Sequence, residues 1–443
     1  MTWSLAAERR YHEPVITVLV ATLTLAMPQT PAAPTPPDLA PLLRAYFDAP
    51  SPRGAELQAL VTAAANREAE LVTMLAAKTF LAERAAVERF AAIRDGRLVE
   101  PPDDNPALLT GPAVPTGLAP LLVYVPDAVY AKPFADELRA AAARGWFVYL
   151  VPDSLRDNRY LSTPQELDRH TGPLRDLLLH FPVDPDRVCF TGSGRGGHAC
   201  WDVGLMRSAR FAAILPCNGG TIHEGGFART GGVFVENGRD LATFLTFNNT
   251  FDHGIEACRH AAKLLTGWGA RIEVQEETAM RCVFLEEATT KLAGAKRTAH
   301  RRSIVKRFNR LPDGAHYWLE ALDRRPGEWD PAARIEVKAA DWPKQPELQR
   351  QAYWKLVQDR CARLAGIVAG NRMRIEAQGV GRLRVWFDPE LVDFGAKVDI
   401  EVGGKVVRST QPKRRLDVML ARVWATGDTS ALYWDHVDLL LPK

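Results

Sequence analysis

Between Leu121 and Gln275 the hydrophobic pattern of this chain alternates between short continuous apolar runs and helical spacing. Leu121-Leu122-Val123-Tyr124-Val125 and Trp146-Phe147-Val148-Tyr149-Leu150-Val151 are runs of strand length, the pattern of a strand covered on both faces. Between them Phe134 to Ala143 has helical spacing and stops at Gly145. Thr163-Pro164 sets an N-cap residue ahead of a proline at the first helical position, which predicts a helix to about His180. Further strands are predicted at Val188 to Thr191, Ala212 to Leu215, Leu241 to Phe247 and Ile272 to Gln275, with helices from about His198 and over Glu256 to Gly267. Strands alternating with helices predict the α/β class, a mainly parallel sheet with helices on both faces.

The flanks read differently. Leu39, Leu42, Leu43 and Tyr46, then Leu57, Leu60 and Val61, then Leu71, Met74 and Leu75 recur three or four apart, so residues 38–100 are expected to form a helical module, broken by Pro50, Pro52 and Gly54. Residues 101–118 are rich in proline and read as a linker to a central domain over 119–326. Beyond Arg324-Arg325-Pro326 apolar and polar residues alternate, at Arg334 to Val337, Met373 to Ala377, Arg382 to Phe387 and Val398 to Val402. Residues 330–443 are therefore predicted to be a small antiparallel β domain, interrupted by a helix from Pro346 to Leu364. Gly403-Gly404 supply the positive φ that a two-residue hairpin turn needs.

At the N-terminus, Arg9 and Arg10 precede an apolar run from Val15 to Ala26 and a Pro/Ala/Thr stretch. The run is shorter than the ~20 residues that span a bilayer, and the order basic, apolar, small is that of a secretory signal. Residues 1–33 are expected to be a signal peptide cleaved between Ala26 and Ala33, making the protein exported, periplasmic or extracellular, with no membrane span afterwards; an uncleaved signal anchor or a wrongly assigned start codon is the alternative.

The central chemistry lies in Val188-Cys189-Phe190-Thr191-Gly192-Ser193-Gly194-Arg195-Gly196-Gly197-His198, a strand, a glycine-rich turn and a helix start. This is the form of the nucleophile elbow G-x-S-x-G, in which the central residue presents its side chain to substrate. With the preceding Asp184-Pro185-Asp186-Arg187-Val188 and the following Trp201, the segment resembles α/β-hydrolases of the dienelactone hydrolase, feruloyl esterase and prolyl oligopeptidase type, from about Pro120 to Arg325. The resemblance implies an α/β-hydrolase fold and a serine hydrolase acting on ester or peptide bonds. Aligned on the glycines, however, the tip is Gly194, and the serine stands one place upstream at Ser193.

In that family the triad follows the chain order nucleophile, acid, histidine. The resemblance gives Asp252, after the strand Leu241 to Phe247, as the acid and His316, in Gly314-Ala315-His316-Tyr317-Trp318, as the histidine, with Ser193 as the serine nearest the tip; His253 and His198 are the other histidines considered. The loop Pro126-Asp127-Ala128-Val129-Tyr130 lacks the H-G-G that similar esterases use for the oxyanion. Two readings stay open: a weak or inactive esterase or peptidase, and a non-catalytic binding or scaffolding protein at the cell envelope that holds a glycan, polypeptide or other polyanion.

Composition narrows this little. The chain has 443 residues, enough for more than one core, and a net charge of +3 that names no partner. Its six cysteines permit disulfides, yet none forms a C-x-x-C pair; Cys189, Cys200 and Cys217 read as small buried apolar residues, and no metal or cofactor is expected. Lys296 to Arg310 holds seven Lys/Arg and no acid. It reads as a solvated face or as a contact for a polyanion, not as a nucleic-acid module.

Overall fold

The computed structural model describes residues 37–81, 109–112, 117–125, 134–151, 164–220, 231–248, 255–278, 285–325 and 358–441. Three helices open it: α1 (Leu39–Asp48), α2 (Ala55–Ala64) and α3 (Glu68–Ala77). Asp38 caps α1 by accepting a hydrogen bond from the Ala40 amide at 3.0 Å.

Seven strands then build one sheet: β1 (Leu109–Thr110), β2 (Ala119–Val125), β3 (Phe147–Leu150), β4 (Val183–Ser193), β5 (Ala213–Cys217), β6 (Ala242–Asn248) and β7 (Ile272–Glu277). Their order across it is β1-β3-β2-β4-β5-β6-β7. Only the edge strand β1 runs antiparallel to its neighbour. The connecting helices are α4 (Phe134–Ala143), α5 (Pro164–His180), α6 (Arg195–Met206), α7 (Ile255–Gly267) and α8 (Leu285–Leu292). Because successive side chains of a strand face opposite ways, β2 feeds two cores. Leu121, Val123 and Val125 pack with residues of α5, α6 and α7; Leu122 and Tyr124 pack with residues of α4 and α8.

Strand pairing moves the boundary of the last domain upstream. Strands β8 (Ser303–Phe308), β9 (Ala315–His316) and β10 (Leu319–Arg324) leave the parallel sheet and pair with strands near the C-terminus. Those are β11 (Ala362–Ala369), β12 (Arg372–Gln378), β13 (Val380–Phe387), β14 (Val398–Val402), β15 (Lys405–Thr410) and, after helix α9 (Leu416–Thr426), β16 (Asp435–Leu440). They form a four-stranded sheet β16-β13-β10-β9 and a five-stranded sheet β15-β14-β12-β11-β8. The second is not purely antiparallel as expected, since β12 and β14 run parallel. Gly403 and Gly404, at φ 57° and 81°, make the β14–β15 hairpin turn. The helix expected over Pro346 to Leu364 falls partly outside the described residues, and Ala362 already begins β11.

The N-terminal helices are not a free-standing module. Leu39, Leu43, Tyr46, Leu71 and Phe80 share one core with Met419, Leu420 and Val423 of α9. Among the described residues no helix is long and apolar enough to cross a membrane. The expected signal segment lies outside them.

Candidate functional site

Strand β4 ends at Ser193, and α6 starts at Arg195. The single residue between them, Gly194, has φ 55° and ψ −114°, a backbone shape that an L-residue adopts only under strain. Two hydrogen bonds fix the turn: the Gly194 amide donates to the Cys217 carbonyl at 2.9 Å, and Gly194's own carbonyl accepts from the His198 amide at 3.2 Å. The reversal brings α6 against the end of the sheet so tightly that a Cβ on Gly196 would stand 2.2 Å from the Val125 carbonyl oxygen. Gly196 thus serves close approach, whereas Gly194 serves conformation. The spacing of the motif is the footprint of one strand-to-helix turn.

Together with the strand order, that turn at the carboxyl end of a central parallel strand decides the fold. The parallel-sheet region is an α/β-hydrolase fold. No family model matches the chain, and no curated protein matches it in sequence. Among solved structures it is similar to a thermostable esterase, at 20% identity over 44% of this chain and 64% of that one, with a TM-score of 0.33. It is also similar to a putative dipeptidyl aminopeptidase IV from Bacteroides ovatus, at 14% identity over 42% of this chain and 33% of that one, TM-score 0.35. A third is a thermophilic esterase from the planctomycete Thermogutta terrifontis, at 14% identity over 41% of this chain and 85% of that one, TM-score 0.31. The first two matches each take in less than two thirds of the other protein's length.

Of the expected catalytic residues, Ser193 and His316 are described, and they do not meet at the elbow. Ser193 is 2% exposed and sits in register between Gly192's partner Val125 on β2 and its own partner Cys217 on β5, so it belongs to the sheet and is not presented at the tip. Asp252 and His253 fall in the connection between β6 and α7, outside the described residues, as does the loop at Asp127. His316 is the clearest departure. It shares a cavity wall with Arg207, Ala209 and Arg210, which follow the C-terminal end of α6, whereas Gly194 caps that helix's N-terminal end. Twelve residues of helix separate those ends, roughly 18 Å at ~1.5 Å per residue. The structure places His316 at the base of the sheet, away from the elbow.

The reason is α8. After Ile272–Glu277 the chain adds a helix to the parallel-sheet region, with Leu285, Ala288 and Leu292 in the same core as Leu138 and Ala141 of α4. The segment that joins β7 to α8, residues 278–284, reads Thr-Ala-Met-Arg-Cys-Val-Phe and holds no histidine.

Polar side chains among the described residues brace the strand ends beside the tip. Asn218, at φ 50°, donates its amide to the Thr246 carbonyl at 2.9 Å and accepts from the Asn248 amide at 3.0 Å, tying the ends of β5 and β6 together beside Gly194. His198 holds Nδ1 2.7 Å from the Gly220 carbonyl, an oxygen that only accepts, so Nδ1 carries the proton and the ring's direction is set. The asparagines were missed by sequence reading because nothing local marks an Asn as a sheet-end brace. The positive φ that favours Asn is the one signal they offer.

Cys189, Cys200, Cys217, Cys258 and Cys361 are buried free thiols, and Cys282 lies outside the described residues. Burial pushes the Cys189 thiol up to about 12. No group of acidic, histidine and cysteine side chains among the described residues is arranged to hold a metal.

The basic segment Lys296 to Arg310 is neither a solvated face nor a polyanion patch. Arg297 pairs with Asp186 at 2.9 Å and Asp428 at 2.8 Å, Arg307 with Glu236 at 3.3 Å, and Arg310 with Asp313 at 2.8 Å. Arg301 pairs with Asp240, and Lys306 is 1% exposed. These cations rivet β8 and its approach to the hydrolase sheet.

Proposed function

We propose that this protein is an exported α/β-hydrolase-fold protein that binds its ligand at the elbow without cleaving it. The observation that carries the reading is Gly194: the turn keeps the conformation that would present a nucleophile, and the residue there has no side chain. The α6 N-terminus still directs backbone N–H groups and the positive end of a helix dipole toward the tip, the means by which a hydrolase holds a carbonyl oxygen. A small ester, peptide or glycan with a polar carbonyl suits such a site. The buried Ser193, the loop 278–284 without histidine and the distance to His316 all support binding over turnover. Export rests on Arg9, Arg10 and the apolar run after them.

Fluorophosphonate labelling and p-nitrophenyl ester turnover test the reading. Wild-type protein should stay unlabelled and turn over esters at the uncatalysed rate, and Gly194→Ser should become labelled only if a base reaches the tip. Robust wild-type turnover abolished by Ser193→Ala would overturn it. N-terminal sequencing of protein recovered outside the cytoplasm should begin between residues 27 and 34; an intact Met1 there would reject the cleaved signal.

A further inference from the structure

The base of the sheet holds a site that the elbow reading leaves unused. A cavity of about 150 Å³ lies where the start of β4 and the end of α6 meet the C-terminal domain, with Arg207, Arg210, Arg297 and Arg422 on its wall beside His316. Three of these guanidiniums already have carboxylates. Arg297 is held by Asp186 and Asp428, Arg207 by Asp313 at 3.1 Å, and Arg422 by Glu320 at 3.2 Å. Arg210 differs. Its hydrogen bond goes to the Thr426 carbonyl at 3.1 Å, and no carboxylate among the described residues pairs with it. Burial, then the like charges of Arg207 and Arg422, push its guanidinium down to about 10, with Asp428 pulling the other way.

His316, in the lining of the same cavity, makes the same point. It is 1% exposed, yet neither ring nitrogen has a hydrogen-bond partner among the described residues. A buried polar atom left unsatisfied is costly, and its persistence in a folded protein calls for a physical reason. Burial first, then the Lys306 ammonium and the Arg301 guanidinium, hold the ring neutral, with its pKa well below the usual value. The turn that aims it is itself strained: Tyr317, a bulky residue, has φ 51° in the β9–β10 hairpin. Strain and unpaired polarity therefore meet at one wall of one cavity.

We propose that this cavity binds a tetrahedral oxyanion, phosphate or sulfate, free or as the terminal group of a small monoester. Arg210 offers a planar fork of N–H donors to its oxygens, and His316, which lines the same cavity, offers one N–H. The wall's own carboxylate does not compete for the place. Burial opposes the ionisation of Asp428, but Arg297 and Ser430 outweigh it and hold the carboxyl well below its usual range, already engaged. A cavity of this volume admits a molecule of about six heavy atoms, the size of one oxyanion with its first attached atom. The site is separate from the elbow, since the Pro185 edge of its wall stands at the opposite end of β4 from Gly194.

The test is calorimetry and thermal melting of the full chain with inorganic phosphate, sulfate and glycerol 1-phosphate in turn, chloride serving as the constant-ionic-strength control. Saturable binding with a rise in Tm is expected, and the preferred probe among the three tells free anion from ester. Arg210→Met keeps the apolar stem and should weaken binding at least about tenfold, the loss expected for one charge-assisted hydrogen bond. His316→Phe should lose the response while melting no lower than wild type in chloride, because it removes two unpaired buried atoms; a residue that only holds the fold would not do this. The His316 ring should also titrate at a higher pH, by NMR, when the best probe is bound. No saturable response to any probe, or an unchanged response in Arg210→Met, would overturn the proposal.

Discussion

At the carboxyl end of the parallel sheet the backbone is exacting and the chemistry sparse: a glycine with positive φ, a helix pressed on a strand end, and asparagines bracing the loops. At the amino end Tyr317 and Lys78 have positive φ, and charged side chains crowd together under the C-terminal domain. The first end has the geometry of a reaction site without its reactive groups. The second has reactive groups spent mostly on one another. Interaction energy at this base is thus directed to joining two domains, with Arg210 and His316 as the two residues that are not absorbed.

Arg297→Met tests that reading most severely. Arg297 donates to Asp186, Asp428, Ser430 and the Ala209 carbonyl, so its loss strands two carboxylates at the domain junction. Removing one partner of a buried pair costs roughly 3–5 kcal/mol, and urea unfolding should show a loss of that size. A loss under about 1 kcal/mol would place the pair with exposed ion pairs and dissolve the contrast between the two ends.

The elbow predicts a smaller pair of effects. In Gly196→Ala the new methyl meets a backbone carbonyl that cannot swing aside, for about 3 kcal/mol or more of overpacking. Gly194→Ala meets mainly the conformational cost of positive φ, about 1–2 kcal/mol. Equal costs from thermal melts of the two variants would mean that the turn does not separate close approach from conformation.

These two ends were unequally legible in the sequence. The elbow was readable because its requirements are local: Gly192, Gly194 and Gly196 constrain one turn, as Gly403-Gly404 do a hairpin. The base was not. Lys296 to Arg310 looks like a surface run because its partners Asp186, Glu236, Asp240 and Asp428 are scattered along the chain, and only the fold gathers them. His316 was assigned to the elbow for a related reason. Its loop has the family's small-residue-then-histidine form, but β8 pairs with β11, more than fifty residues on, and that non-local pairing removes everything after α8 from the hydrolase sheet.

A pH-dependent effect concerns two buried lysines at helix ends near the base. Lys306 donates from Nζ to the Leu205 carbonyl at 3.2 Å and to the Met206 carbonyl at the end of α6; Lys78 does the same for the Leu178 carbonyl and, at 3.4 Å, the Phe181 carbonyl after α5. Burial pushes both ammonium groups down to about 7, partly opposed by Asp313 at Lys306 and by Asp184 at Lys78. An unfolded lysine titrates near ~10.4, so between pH 7 and about 10 the unfolded chain binds more protons than the folded one. Stability should therefore rise with pH across that window, and the gain should be lost as pH falls through 7. Helix-end carbonyls favour the charged form by up to ~2 kcal/mol in partly buried geometries, which offsets part of the desolvation and narrows the window from below. Urea unfolding at pH 7 and pH 9.5 should show this rise in the wild type and a flatter profile in Lys306→Met and in Lys78→Met. The same slope in all three proteins would mean that these lysines keep their protons through the window, with the helix carbonyls outweighing burial.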